Sequence, residues 1–264
     1  MKLAASVFCA LIILAALAAP LIAPYDPTAM ALRDILAAPS AQHWLGTDAL
    51  GRDVLSRLLY GARVSLSVGI VAIGLATATG LAVGALSALG NKWADAVLMR
   101  ATDVMLCFPA IFLLLAAAAI LPPSLLNLML IIGLTGWMGT ARLVRAELLK
   151  LRHAPFVQAA RLAGTRGVPL FIKHFLRHLW PLTLTTLSLG LAGAILTESA
   201  LSFLGLGVQP PTPSWGTMLA DGKSVMEVAW WLTVCPGLAI LVTVLAFTLL
   251  GEVLGPARLK SARE

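Results

Sequence analysis

Few residues in this chain are typed and spaced for covalent chemistry. The four histidines, His43, His153, His174 and His178, fall in segments that the apolar runs between them place on opposite faces of a membrane, so they cannot meet in one site. Cys9, Cys107 and Cys235 stand singly inside apolar runs, with no CxxC pair and no histidine at ligand spacing, and are expected to pack as small apolar side chains. No GxxxxGK[ST] phosphate loop is present. The stretch 84–92 ends in Gly90-Asn91-Lys92 without the required spacing, so the chain should not bind ATP itself. HExxH and GxSxG are also absent, which removes the zinc-protease and serine-hydrolase readings. One acid, Glu198, lies well inside an apolar run, and an ionisable group at membrane depth is a functional candidate. At about 1.5 Å per helical residue it stands roughly 26 Å from Pro181, near one membrane interface. Two roles fit it: with Ser199 it meets solute at the mouth of a pathway, or it makes a capping or interhelical hydrogen bond.

The elements that carry these residues are set by hydropathy. With 264 residues, 59% of them hydrophobic and only 12% charged, and a mean hydropathy of +0.93, the chain has more apolar surface than one water-soluble core could bury. At about 20 apolar residues per bilayer crossing, the runs 3–22, 64–89, 101–121, 125–140, 181–206 and 230–250 predict an all-α membrane protein of about six transmembrane helices. The first run is longer than a signal-peptide core and reads as a retained span. Residues 1–264 then form one membrane domain with no soluble enzyme attached.

A net charge of +7 raises the question of nucleic acid, but the basic residues lie between apolar runs with no aromatic interleaving and no DNA-reading motif, so none is expected. Topology accounts for them. With the N-terminus inside, fourteen of the nineteen basic residues face the cytoplasm and five, Arg33, Arg52, Arg57, Arg63 and Lys223, face out. That predicts a multi-pass protein of the bacterial cytoplasmic (inner) membrane with both termini cytoplasmic, an extracytoplasmic segment at about 23–63 and a cytoplasmic segment at about 141–180. Gly80 and Gly84, spaced as GxxxG, predict close helix packing in the second run. Pro109 and Pro236 predict kinks, since each removes a helical hydrogen bond that lipid cannot replace. Asp103 and Glu252 are expected to pair with basic residues near the inner face.

Three stretches are more than connections. The 141–180 segment holds Glu147 as its only acid and reads as two short helices joined through Gly164 and the Gly167-Val168-Pro169 turn. In its first helix Gln158, Ala159 and Ala160 precede a glycine at the usual C-cap position, and such a surface helix suits a partner's groove. Residues 43–63 read HWLGTDALGRDVLSRLLYGAR, in which Thr47, Asp48 and Asp53 are natural helix caps. Residues 198–216 read ESALSFLGLGVQPPTPSWG, whose prolines and glycines forbid a continuing helix.

These strings resemble a known family. Gln158 to Gly164 is similar to the EAA motif of ABC importer permeases, with Gln158 where the family usually has Glu and Arg177 where many members have a late proline. The strings at 43–63 and 198–216, with Gly136-Trp137 and 141–145, resemble the C-type permeases of the dipeptide, oligopeptide and nickel importers, from about Tyr25 to Leu250. The resemblance implies a type I importer (MetI-like) architecture and uptake of short peptides, with nickel or a metal chelate as the alternative. It implies that Gln158, Ala159, Ala160 and Gly164 couple the chain to an ATPase. It also implies as partners a second homologous permease, two cytoplasmic ATPases that bind the ATP and Mg, and a periplasmic or lipid-anchored solute-binding protein. The rival, a secondary transporter, needs inverted repeats and ion sites near the midplane, and the sequence shows neither.

Overall fold

The computed structural model describes residues 2–254, and the basic cluster Arg258, Lys260 and Arg263 that entered the charge balance lies outside the described residues. The described chain is helical almost throughout. α1 (Lys2–Leu17) ends at Ala18, and one further turn, α2 (Ala19–Ile22), starts with Pro20 in its first turn. An irregular segment then leads to α3 (Val54–Leu89), whose first turn is capped by the Asp53 carboxylate accepting from Ser56 N–H. At about 1.5 Å per residue α3 is roughly 54 Å long, well beyond the hydrocarbon core of about 30 Å, so it projects past the membrane.

After Gly90 the chain turns, and Asn91 caps α4 (Lys92–Cys107) by accepting from Ala94 N–H. α4 and α5 (Ala110–Ile120) meet at Phe108-Pro109 with a bend of 88°. Extended Phe108 precedes a residue with no N–H to give, so the third apolar run is broken where a kink was expected. α6 (Leu125–Thr135) continues through Gly136 into α7 (Trp137–Leu151), extending the fourth run into the basic segment. α8 (Pro155–Leu162) and the single turn α9 (Gly167–Leu170) follow. A π-helical turn, Phe171–Phe175, then feeds α10 (Leu176–Phe203), which contains Pro181. α11 (Trp215–Lys223) and α12 (Trp231–Leu254), with Pro236 inside it, complete the order.

The all-α membrane architecture is as expected, but the helices do not divide into six equal crossings. Four runs, Val54–Leu89, Leu125–Leu151, Gly167–Phe203 and Trp231–Leu254, are long and apolar enough to cross alone. The bent α4–α5 pair makes a fifth only if taken together, and the apolar part of α1 is shorter than a usual crossing. The reason is local: the break at Ala18 and the missing donor of Pro109 interrupt runs that hydropathy alone reads as continuous.

α3 is the central element. Gly80 and Gly84 bring it against α7: a Cβ at Gly80 would lie 2.6 Å from Thr140 Cβ, and one at Gly84 2.6 Å from the Ala141 carbonyl oxygen. Thr77 and Ala88 on the same helix are buried. The close approach predicted by the GxxxG spacing is therefore real, and its partner is α7. Where α3, α7 and α10 meet at their basic ends, Ala88, Val144, Leu148, Val157, Phe175 and Leu179 form one cluster. At the opposite end Val54, Met218, Ala229, Trp231 and Leu232 form another, joining α3, α11 and α12. Of the cysteines, Cys9 packs in a core as expected and Cys235 is partly covered, whereas Cys107, at the end of α4, is exposed.

Candidate functional site

The basic segment folds into a hook whose two sides differ. Pro155 opens α8 at a first-turn position, where its missing N–H costs nothing. Val157 and Ala160, one turn apart, are buried against Leu148, Leu170 and Phe175. Phe156 stacks on His178 at 4.3 Å between ring centroids, which ties α8 to the start of α10. α8 ends with Thr165 N–H donating to the Ala160 carbonyl (2.9 Å) and Gly164 N–H to the Arg161 carbonyl (3.0 Å), the paired bonds of a Schellman cap. That cap needs a left-handed residue, and Gly164 supplies it with φ of +87°.

The four residues singled out by the sequence are thus divided by the helix. Ala160 is buried and fastens α8 to the bundle, while Gln158, Ala159 and Gly164 look outward. Gln158 Nε2 donates to the His153 carbonyl at 3.1 Å, so its amide helps to close the turn before α8. Beside them Leu162 is 90% exposed, and Val168, Arg161 and Arg166 are exposed as well. Together they form an uncovered apolar and cationic tip on a helix anchored by its other face.

Two ion pairs, one of them missed by sequence reasoning, link α7 to α4 above the hook. Arg145 of α7 grips both carboxylate oxygens of Asp95 on α4 at 2.6 Å, and Ser87 of α3 also donates to Asp95. Arg142 meets Asp103 at 2.5 Å, the basic pairing expected for that acid. The i, i+3 spacing puts Arg142 and Arg145 on one face of α7, but the two acids on α4 are eight residues apart, so only the packing of the two helices selects these partners.

The opposite end is closed by a second assembly. Asp53 does cap α3, and it also meets His43 Nδ1 at 2.9 Å. Thr47 and Asp48 do not act as helix caps. The Thr47 hydroxyl accepts from Ala37 N–H at 2.8 Å and donates to the Asp34 carbonyl, and Trp231 Nε1 donates to the Thr47 carbonyl at 3.1 Å. Asp48 is buried between Arg52 (2.7 Å) and Arg57, and Arg57 in turn reaches Asp221 of α11 at 3.0 Å. The capped-helix reading holds from Asp53 onward, whereas residues 43–52 form a folded plug pinned to α11 and α12. Burial pushes the Asp48 carboxyl up, but Arg57, the N–H groups of Arg52 and Leu50, and Arg52 itself outweigh it and hold the group below the usual carboxylate range.

Glu198 lies between these regions on α10 and is fully buried within this one chain. Its carboxylate accepts from Ser65 of α3 and from Ser202, each at 2.8 Å, and from Ser199 at 3.4 Å. Of the two roles open to it from sequence, the interhelical hydrogen bond is the one the structure displays. Neither Glu198 nor Ser199 faces an open surface here. Ser65, which sequence reasoning passed over, is its cross-helix partner.

Comparison with known proteins agrees with this architecture. Residues 80–260 match the family described as binding-protein-dependent transport system inner membrane component. The chain is 41% identical to a di/tripeptide transport system permease protein of Pseudomonas aeruginosa, over 97% of this chain and 87% of that one. It is 39% identical to a probable D,D-dipeptide transport system permease protein of Escherichia coli K12, over 94% and 83% of the two chains. It is 38% identical to a glutathione transport system permease protein of a second Escherichia coli strain, over 96% and 84%. In fold it is similar to a chain of the MetNI methionine ABC transporter solved in inward-facing conformations, with a TM-score of 0.57, 17% identity, and coverage of 76% of this chain and 97% of that one.

Proposed function

This chain belongs to the family of binding-protein-dependent transport system inner membrane components, and from that membership we propose that it forms half of the pathway by which an ATP-driven importer takes up short peptides. As a permease it is a multi-pass component of the inner membrane. The peptide substrate rests on the names its relatives carry, di/tripeptide, D,D-dipeptide and glutathione permeases, which favour peptides over nickel or a metal chelate. The other half of the pathway is a second, homologous permease. Two cytoplasmic ATPases supply the ATP and Mg chemistry that this chain lacks motifs for, and a periplasmic or lipid-anchored binding protein delivers solute at the plug end. The charge balance supports a cytoplasmic hook, with both termini on the same side.

The observation that carries this reading is the hook itself. Its anchored face shares one cluster with Val144 and Leu148 of α7 and with Phe175 and Leu179 around the start of α10. A displacement of α8 by a partner ATPase is therefore passed by close packing to α7 and α10 rather than absorbed in a loose loop. α7 is further tied to α4 by the Arg145–Asp95 pair and to α3 at Gly80 and Gly84. α10 carries the movement to Glu198, nineteen residues and roughly 28 Å beyond Leu179.

The test is reconstitution of this chain with a second permease, two ATPases and a binding protein from the same cell, followed by uptake of labelled di- and tripeptides into proteoliposomes. Uptake that requires ATP enclosed in the lumen, with the binding protein outside, and is indifferent to ion gradients, is expected. Uptake that persists without the ATPases would overturn the proposal.

A further inference from the structure

The hydrogen bonds around Glu198 have a fixed polarity. Val208 N–H donates to the Ser202 hydroxyl oxygen at 3.1 Å, and the Ser202 hydroxyl donates to one carboxylate oxygen at 2.8 Å. Trp215 N–H approaches the Ser65 hydroxyl oxygen at 3.4 Å, and the Ser65 hydroxyl donates to the other carboxylate oxygen at 2.8 Å. Two backbone donors, one at position 208 inside the loop between α10 and α11 and one at Trp215, the first residue of α11, are thus relayed through serines on two different helices to one carboxylate. A hydroxyl has a single proton to give, so both serines can serve the loop and the carboxylate at once only because both oxygens at position 198 accept.

The loop fits this arrangement closely. A Cβ at Gly207 would lie 2.2 Å from Ser202 Oγ, and one at Gly216 would lie 2.6 Å from the Ser199 carbonyl oxygen. On α3, a Cβ at Gly61 would lie 3.3 Å from the Trp215 ring, whose Nε1 donates to the Leu58 carbonyl at 3.1 Å. Val208 and Trp215 are both buried. The loop is therefore seated on α3 and α10 together.

We infer that Glu198 is a positioning residue that fastens the loop between α10 and α11 to α3 and α10, so that this loop moves with these helices. The inference rests on the importer reading, because fastening affects flux only in a permease that cycles. It assigns Glu198 a role through the loop, with no contact to solute. Position 198 must then supply two acceptors. Alanine removes both arms. Glutamine keeps one acceptor and turns a donor toward the other serine, which still accepts but must send its own proton elsewhere.

The test uses the assembled complex, with a single reporter cysteine at Val208→Cys in a background freed of Cys9, Cys107 and Cys235, and a membrane-impermeant maleimide added from outside. In the parent the buried cysteine reacts slowly. Glu198→Ala is expected to raise the modification rate by roughly tenfold or more, and Glu198→Gln by less, since the loss of both hydrogen-bonded arms shifts an opening equilibrium by about that factor. Peptide uptake should fall in the same order. Ser65→Ala and Ser202→Ala, which test one arm each if Glu198→Ala fails to assemble, should each expose the cysteine. Combining either with Glu198→Ala should add little, because the three groups form one network. Equal modification rates in all variants, or wild-type uptake by Glu198→Ala, would overturn the inference. A parent complex without ATP-dependent uptake would instead count against the importer reading, while the labelling arm would still report on the loop.

Discussion

Gly164 offers the sharpest test of how the hook works. Its φ of +87° lies in the left-handed region, and nothing stands within 4 Å of where a Cβ would be. Within this chain a side chain at 164 therefore meets no steric obstacle, and the penalty of substitution is conformational. A left-handed residue other than glycine costs about 1–2 kcal/mol, with asparagine at the low end and β-branched residues at the high end. At about 1.4 kcal/mol per decade, the population of the intact Schellman turn relative to its unwound form should fall roughly five- to thirtyfold. The order of effect is then Asn, Ala, Val, which is not the order of size. Two measurements separate the fold of the hook from its docking: thermal stability of the purified permease, and the amount of ATPase retained when the complex is purified through the permease. Valine is expected to reduce ATPase retention and uptake strongly while the protein still inserts, with asparagine closest to wild type. An effect that rose with side-chain volume, asparagine worse than alanine, would refute the conformational reasoning and place a partner surface against Gly164. Unchanged retention and uptake in all three variants would remove the hook from the coupling path altogether.

Three further outcomes are expected. Gly84→Leu forces a side chain onto the Ala141 carbonyl and Val144, and should destabilise the α3–α7 pair by about 1–3 kcal/mol, read as a lowered melting temperature in detergent. Asp48→Asn leaves Arg52 and Arg57 with the partly exposed Asp221 as their charged partner and should cost about 1.5–3 kcal/mol, as loss of a charged hydrogen-bond acceptor does. Because the folded Asp48 carboxyl sits below its unfolded value of about 3.9, its contribution is fully present above that pH and is lost as pH falls through the lower folded value, so acid should erase the difference between wild type and Asp48→Asn. Trp231→Phe removes the donor to the Thr47 carbonyl while keeping most of the ring, and should loosen the plug by about 0.5–1.5 kcal/mol, seen as faster amide exchange around Thr47.

Period and composition determined a large part of this protein. Apolar runs of this length separated by basic turns dictate helices in lipid, because a helix satisfies its backbone donors and acceptors within one segment. The GxxxG pair at Gly80 and Gly84 dictated close packing, and Gly164 dictated where α8 ends. Only the tertiary structure decided which surfaces meet. Hydropathy could not see that the third run breaks by 88° at Pro109, since a missing hydrogen bond leaves the average apolarity unchanged. Spacing could place Glu198 near an interface, but a helix presents each residue to a neighbour chosen by packing, and that neighbour is Ser65, 133 positions earlier. Likewise Asp48 and Thr47 looked like caps because their side chains suit backbone donors. Their actual partners, Arg57 and the Asp34 carbonyl, arrive only when the segment folds back on the end of α3. Residue type fixed what each group can exchange, and long-range packing fixed with whom.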